Sequence, residues 1–152
     1  DEKECIRVTN DYRFMMGLQA VEAQNQLGNA ARKHSKEMED LGYFAHESPT
    51  KGLRSPGERC SAEGYGGGVS ENIEVGTSTG TESFWGWYNS SGHHRNMLGA
   101  HTQIGLGKSG KYWTENFGSG GASMKDKVEP LKAAGGPAGG STGGVVCPDG
   151  SR

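Results

Sequence analysis

The chain has 152 residues and a formal net charge of −2, only 32% of its residues are hydrophobic, and 27 are glycine. This length suits one folded domain, and the 16 basic and 18 acidic residues, without a basic block, argue against a nucleic-acid partner. No apolar run in the sequence approaches the roughly 20 residues that a membrane-spanning helix needs.

The first half of the chain predicts three helices. The first is expected over about residues 5–16. The second lies in NQLGNAARKHSKEMEDLGYF, where apolar residues recur every three or four positions and Gly42 follows as a left-handed C-terminal residue. The segment SPGE is a capping box with Ser55 as its N-cap, and it predicts a short helix through Cys60.

The second half predicts mainly strands. The segment VSENIEVG at 69–76 alternates like a strand, and Glu71 shares its apolar face. The segment TESFWGWYNSSG predicts a helix that begins at Thr81 and ends at Gly92. HTQIGLG and KYWTENFG predict two strands joined by a turn at 108–110. Because helices lead and strands follow, we expect an α+β fold in which helices flank a mainly antiparallel sheet.

The polar excess lies at the C-terminal end. Residues 119–152 contain nine glycines and no aromatic residue, a composition typical of a flexible linker. We therefore expect a folded domain over residues 1–118 and a glycine-rich extension over 119–152. The chain begins at Asp1 without a targeting segment, so we expect either a processed mature form or an excerpt.

Three cysteines, Cys5, Cys60 and Cys147, allow at most one disulfide within the chain, and three pairings are open. A bond from Cys147 to either of the other two would close a long loop and tether the extension to the domain. Reduced, buried cysteines and a bridge between two chains are the alternatives.

Seven segments, in order, resemble the CAP superfamily of cysteine-rich secretory, antigen 5 and pathogenesis-related proteins, and its shorter bacterial branch in particular. They run over about residues 8–118 and read NDYRFMMGLQAV, LGNAARKHSKEM, YFAHESP, SENI, FWGWYNSSGHHRNML, QIGLG and YWTENFG. The resemblance implies an α-β-α sandwich, which agrees with the fold class expected from the elements. It also implies a secreted protein, either extracellular or periplasmic.

Members of this family usually hold two histidines and two glutamates in an open cleft, and in some members the histidines bind a divalent metal such as zinc. The resemblance places His46 of YFAHESP as the first histidine and Glu71 of SENI as the first glutamate. For the second histidine it favours His93 of GHHR, with His101 as the runner-up.

The second glutamate is where this chain departs from the family. Ser90 of WYNS stands in the corresponding place, and Glu82 is only a weak substitute. No local motif such as HExxH or Gly-x-Ser-x-Gly supplies a catalytic site by itself. A catalytic role would therefore rest on His46, Glu71 and His93 together.

Ordinary structural roles are open for the same side chains. His46 could only form a hydrogen bond across a loop, and Glu71 could only pin its strand to a helix. The adjacent His93 and His94 could cap the C-terminal end of the preceding helix, where an imidazolium ion is favourable.

Three functional classes follow from the sequence. The preferred class is a secreted binding module whose cleft holds zinc or another divalent metal, without an organic cofactor. Its partner would be an extracellular lipid, glycan, peptide or protein. The second class is a metal-assisted hydrolase or peptidase that uses the same cleft. The third is a structural subunit of an extracellular assembly, in which the extension and an unpaired cysteine permit self-association.

Overall fold

The structure is a computed structural model that describes residues 1–119. Almost all of the expected extension, with Cys147 and its pairing, lies outside the described residues. None of the helices in the described part is long and apolar enough to cross a membrane.

Helices and strands alternate in an irregular order along the described residues. They are α1 (Glu2–Met15), β1 (Glu22–Ala23), α2 (Asn25–Leu41), α3 (Pro56–Ala62), β2 (Val69–Val75), α4 (Gly80–Tyr88), α5 (Ser91–Met97), β3 (Gln103–Ser109) and β4 (Tyr112–Gly118). The strands form one sheet in the order β1-β3-β4-β2, in which β1 runs parallel to β3 and the other two pairings are antiparallel. The predicted α+β fold with a mainly antiparallel sheet is confirmed, and the two-residue strand β1 is an addition to it.

Helix α2 packs directly on strand β3 because two glycines in β3 allow a close approach. A Cβ atom at Gly105 would overlap the backbone nitrogen of Gly28, and one at Gly107 would overlap that of Arg32. The opposite face of the sheet carries the main hydrophobic core. There Leu106, Trp113 and Phe117 pack with apolar side chains from α1 and α4. The molecule is therefore a sandwich of helix, sheet and helix.

Capping residues define several helix ends. Ser55 opens α3 with a capping box, and Gly42 follows α2 in the left-handed conformation at φ 73°, both as predicted. Helix α4 begins earlier than predicted, because Thr79 and not Thr81 is its N-cap. The Thr79 side chain accepts a hydrogen bond from the backbone N–H of Glu82, and the Glu82 side chain bonds back to the Thr79 backbone.

The prediction that Gly92 ends this helix is wrong. Helix α4 ends at Tyr88, the chain turns extended at Ser90, and a separate helix α5 begins at Ser91. Gly92 therefore lies in the first turn of α5. The two adjacent histidines at 93 and 94 lie inside this second helix, and of the two it is His94 that bonds the last carbonyl of α4, that of Tyr88.

Candidate functional site

Two histidines far apart in the sequence lie on elements that contact strand β2, which is the outer strand at one end of the sheet. His46 lies in the connection between α2 and α3, and His93 lies on α5, which packs on β2. Burial lowers the pKa of His93, and the nearby His46 lowers it further. The structure thus places the two predicted histidines within reach of each other's charge.

The ring of His46 is oriented by Glu71. Its Nδ1 atom lies 2.8 Å from Oε1 of Glu71, whose carboxylate is buried while the His46 side chain is 53% exposed. Because a carboxylate only accepts hydrogen bonds, Nδ1 carries the proton, and in the neutral ring Nε2 has the free lone pair. Nε2 of His46 forms no hydrogen bond to any described residue.

The carboxylate of Glu71 is itself held by Arg59. Its second oxygen, Oε2, accepts a hydrogen bond of 2.8 Å from the guanidinium of Arg59, which is 4% exposed. Arg59 also donates to the backbone carbonyls of His46, Leu53 and Arg54. Both oxygens of Glu71 are therefore engaged, and the buried ion pair positions the ring and the backbone of His46 together.

Ser90 orients the ring of His93. The Ser90 hydroxyl lies 2.9 Å from Nδ1 of His93, and among residues 1–119 no group bonds Nε2 of this ring. A hydroxyl either donates or accepts, so it does not fix the tautomer as a carboxylate does. Ser90, which stands where the resemblance places a glutamate, thus contacts the second histidine with a neutral group. We call His46, Glu71, Ser90 and His93 the histidine cleft.

The adjacent histidine, His94, has a structural role. Its Nδ1 lies 2.8 Å from the carbonyl oxygen of Tyr88, and its Nε2 lies 2.8 Å from the hydroxyl of Tyr12. The rings of both tyrosines also pack against the imidazole. His94 therefore ties α5 to α4 and α1, and both of its nitrogens are used.

The two weaker site candidates lie away from the histidine cleft. His101 donates from Nε2 to the carbonyl oxygen of Asn96 at 2.7 Å, and its ring stacks on Phe117 at 4.5 Å between centroids. Glu82 is fully engaged in the cap of α4, at an exposed position. In the described chain, neither residue contacts a member of the cleft.

Two of the disulfide candidates are free thiols in this structure. Cys5 and Cys60 are both buried, and they belong to separate hydrophobic clusters, so they are not bonded to each other. Burial raises the pKa of both thiols, that of Cys60 to about 12. Both thiols are therefore unreactive at neutral pH. A bond from either of them to Cys147 would involve a residue outside the described part of the chain.

The histidine cleft suits a metal ion that takes few protein ligands. Within residues 1–119, no group of three or more histidine, cysteine, aspartate or glutamate side chains is placed to hold a metal. The cleft offers two imidazole Nε2 atoms, each on a ring anchored at Nδ1, and a neutral imidazole nitrogen is a ligand that zinc accepts. The remaining coordination positions would fall to water or to a bound molecule.

Two asparagines that hold the backbone of the cleft residues, the buried Asn72 and the half-buried Asn96, were missed by the sequence analysis. Asn72 donates to the carbonyl oxygen of His93 at 3.2 Å, and Asn96 donates to that of Glu71 at 3.3 Å and to Oδ1 of Asn72 at 3.0 Å. Asn72 directly follows Glu71, so strand alternation places the two side chains on opposite faces of β2. Strand alternation was the available signal in the sequence. Because helices cover both faces of the sheet, it makes Asn72 a polar side chain inside the sandwich.

Comparison with known proteins gives a consistent result. A family model described as the cysteine-rich secretory protein family, CAP, matches residues 6–117. The chain is 38% identical over 120 residues to "Uncharacterized protein YkwD" of Bacillus subtilis (strain 168), covering 76% of this chain and 46% of that protein. It is 33% identical over 118 residues to "Uncharacterized membrane protein YlbC" of the same strain, covering 76% and 34%. The chain spans less than half the length of these curated relatives.

Two solved structures of similar fold are those of proteins from Bacillus anthracis and Borrelia burgdorferi. One is an extracellular protein containing a SCP domain from Bacillus anthracis str. Ames, with a TM-score of 0.75 and 34% identity over 78% of this chain and 40% of that chain. Another is an outer surface protein from Borrelia burgdorferi, with a TM-score of 0.67 over 77% of this chain and 90% of that chain. Its identity of 15% supports likeness of fold alone.

Proposed function

The chain belongs to the cysteine-rich secretory protein family, and on this premise we propose that it is an extracellular binding domain whose histidine cleft takes up a divalent metal ion. The similar domain from Bacillus anthracis, described as part of an extracellular protein, supports the location. One observation carries the metal proposal. His46 and His93 are near enough for the charge of one to act on the other, each with Nδ1 anchored and, as far as the described residues go, Nε2 unbonded.

A bound metal such as zinc would supply a Lewis-acidic centre with exchangeable positions. The residues of the chain would supply orientation. Glu71, fixed by Arg59, holds the ring of His46, and Ser90 holds that of His93. Burial lowers the pKa of His93 and so favours its neutral ring, the form that binds metal. An anionic or carbonyl group of an extracellular lipid, glycan or peptide would complete the coordination.

Hydrolysis in the same cleft has less support from the geometry. A hydrolase needs a group free to take a proton from water. The carboxylate of Glu71 already bonds Arg59 and His46, and Ser90 presents a hydroxyl where a second carboxylate would serve. Binding is therefore the function that this arrangement favours. Turnover of an ester or peptide substrate that is lost in a folded His93→Ala variant would instead favour the hydrolase.

Calorimetric titration of the full chain with zinc tests the proposal. We expect saturable binding of one ion per chain that is lost in His46→Ala and in His93→Ala. His101→Ala is the matched control, because His101 is another partly buried imidazole outside the cleft, and it should bind as the unaltered chain does. Absence of saturable binding near neutral pH, or loss of binding only with His101→Ala, would overturn the proposal.

A further inference from the structure

A second carboxyl group lies in the sheet beneath the histidine cleft. Glu115 of β4 stands directly opposite Asn72 of β2 in the antiparallel register, and its side chain is completely buried. Its neighbours on the same face of β4 are Trp113 and Phe117, which belong to the main hydrophobic core. The carboxyl group thus lies between two residues of the main hydrophobic core.

A single side chain connects Glu115 to the cleft. Nδ2 of Asn72 donates to Oε1 of Glu115 at 3.1 Å and to the backbone carbonyl oxygen of His93 at 3.2 Å. Oδ1 of Asn72 accepts from Asn96 at 3.0 Å. Both amide hydrogens of Asn72 are therefore used, one by Glu115 and one by the backbone of α5. The orientation of this amide depends on the acceptor that Glu115 provides.

Glu115 lacks the partners that an ionised carboxylate needs. Its Oε2 atom is buried without a hydrogen-bond partner in residues 1–119, and its Oε1 atom accepts from a neutral amide. The cation whose charge reaches it is Arg13 of α1. The guanidinium of this arginine donates to the backbone carbonyls of Gln19, Met97, Gly99 and His101. Among the described ion pairs there is none between Arg13 and Glu115.

A second cation on this side of the sheet, Lys108 of β3, lies over the ring of Trp113 and pairs with Asp1. Other titratable groups packed on this side include the thiol of Cys5 on α1, which interacts electrostatically with Glu115, and the carboxyl group of Glu74 on β2. Burial raises the pKa of Glu115 to about 8, with the hydrogen bond from Asn72 and the charge of Arg13 acting in the opposite direction. At pH 7 the group is accordingly a neutral carboxylic acid.

We propose that Glu115 is a positioning residue for the histidine cleft, and that as a neutral acid it holds Asn72 and, through Asn72, the backbone of His93. The inference rests on the proposed function, because the property that it governs is the metal affinity of the cleft. Glu115 itself is not one of the residues that would hold the metal. Its contribution is to keep α5 seated on β2 so that the His93 ring stays beside that of His46.

Two substitutions test whether Glu115 acts as a neutral hydrogen-bond acceptor or through a negative charge. Glu115→Gln keeps the size and the acceptor oxygen but cannot ionise, whereas Glu115→Met removes the acceptor at similar size. In calorimetry near pH 7, we expect the Gln variant to bind zinc within about twofold of the unaltered chain, and the folded Met variant to bind at least about tenfold more weakly. A Gln variant that binds about tenfold more weakly would overturn the proposal, and so would a Met variant of unaltered affinity.

A measurement without metal tests the positioning role of Glu115 separately from the proposed metal binding. It does not need the Met variant to fold. The carbonyl ¹³C resonance of His93 is followed by NMR from about pH 7 to about pH 9, above the lowered pKa of the His93 ring. In the unaltered chain it should titrate with a midpoint near the pKa of Glu115, about 8, and in Glu115→Gln it should stay flat. Glu74→Gln, at a half-buried carboxyl on β2, is the matched control and should leave the titration in place.

The outcomes of this experiment are distinct. A flat His93 resonance in the unaltered chain, or a titration that persists in Glu115→Gln, would overturn the positioning role whatever zinc does. A titration that depends on Glu115, in a chain that binds no zinc, would support the link from Glu115 to α5 and overturn the proposed metal function instead.

Discussion

The hydroxyl of Ser90 lies 2.9 Å from Nδ1 of His93, whereas Nδ1 of His46 is held at 2.8 Å by the carboxylate of Glu71. The two histidines of one cleft are thus anchored by different chemical groups. A carboxylate fixes both the tautomer and the orientation of a ring, and a hydroxyl fixes the orientation less firmly. The His93 side of the cleft is therefore the more adjustable one.

Ser90→Ala should weaken zinc binding by about tenfold, because it frees the ring of His93. Stability should change by less than about 0.5 kcal/mol, since the Ser90 side chain makes no capping hydrogen bond to α5. Calorimetry and thermal unfolding measure the two effects. Ser91→Ala, at the exposed neighbouring position, is the control. Equal loss of affinity in both variants would mean that α5 as a whole, and not the ring contact, determines binding.

Glu71→Gln should destabilise the domain by about 3 kcal/mol, because it leaves the buried guanidinium of Arg59 without its charge partner. The measurement is urea denaturation of the metal-free chain. Glu47→Gln removes an exposed carboxylate beside His46 and should cost less than about 0.5 kcal/mol. If Glu71→Gln is as stable as the unaltered chain, the backbone carbonyls alone satisfy Arg59 and the ion pair is not a structural element.

Gly107→Ala should destabilise the domain by about 2–3 kcal/mol, since its Cβ would overlap backbone atoms of Ala31 and Arg32 in α2. Gly92→Ala should instead stabilise the domain. A Cβ atom at Gly92 has nothing within 4 Å, and alanine favours a helix over glycine by about 0.5–1 kcal/mol. Chemical denaturation of both variants tests the pair. A neutral Gly107→Ala would contradict the close packing of α2 on β3.

The contribution of Glu115 to the free energy of unfolding should decrease as pH rises from about 5 to about 8. The folded chain keeps a proton up to a pKa of about 8, whereas the unfolded chain releases it near the ordinary value of 4.5. The contribution is therefore fully present below the unfolded pKa and is lost as pH rises through the folded one. Glu115→Gln should remove about 1.4 kcal/mol per pH unit from the slope of unfolding free energy in this range. Equal slopes in urea denaturation would contradict a neutral Glu115.

Elements with strong local signals were predictable from the sequence. The capping box at Ser55 and the glycine after α2 set their helix ends without help from distant residues. The end of α4 was not predictable in this way. His94 bonds the carbonyl of Tyr88 and the hydroxyl of Tyr12 across three helices, and no local pattern contains that contact.

The site residues also differ in how far the sequence predicts them. Glu71 was conspicuous as a carboxylate on the apolar face of a strand, and the family resemblance assigned it to the cleft. Glu115 carries the same signal between Trp113 and Phe117 in YWTENFG, but its meaning depends on the register that sets it opposite Asn72. Arg59 lies in a short capped helix where an arginine is expected to be exposed. Its burial depends on the loop at 43–55 folding over it, which sequence patterns do not encode.

The most direct test of the account follows the ring nitrogens of all five histidines by ¹H–¹⁵N NMR while zinc is added to the full chain. We predict that the Nε2 resonances of His46 and His93 shift together and saturate at one ion per chain, while those of His34, His94 and His101 stay in place. Resonances of His94 or His101 that shift in place of His93, or histidine resonances that do not respond to zinc at all, would contradict a metal site in this cleft.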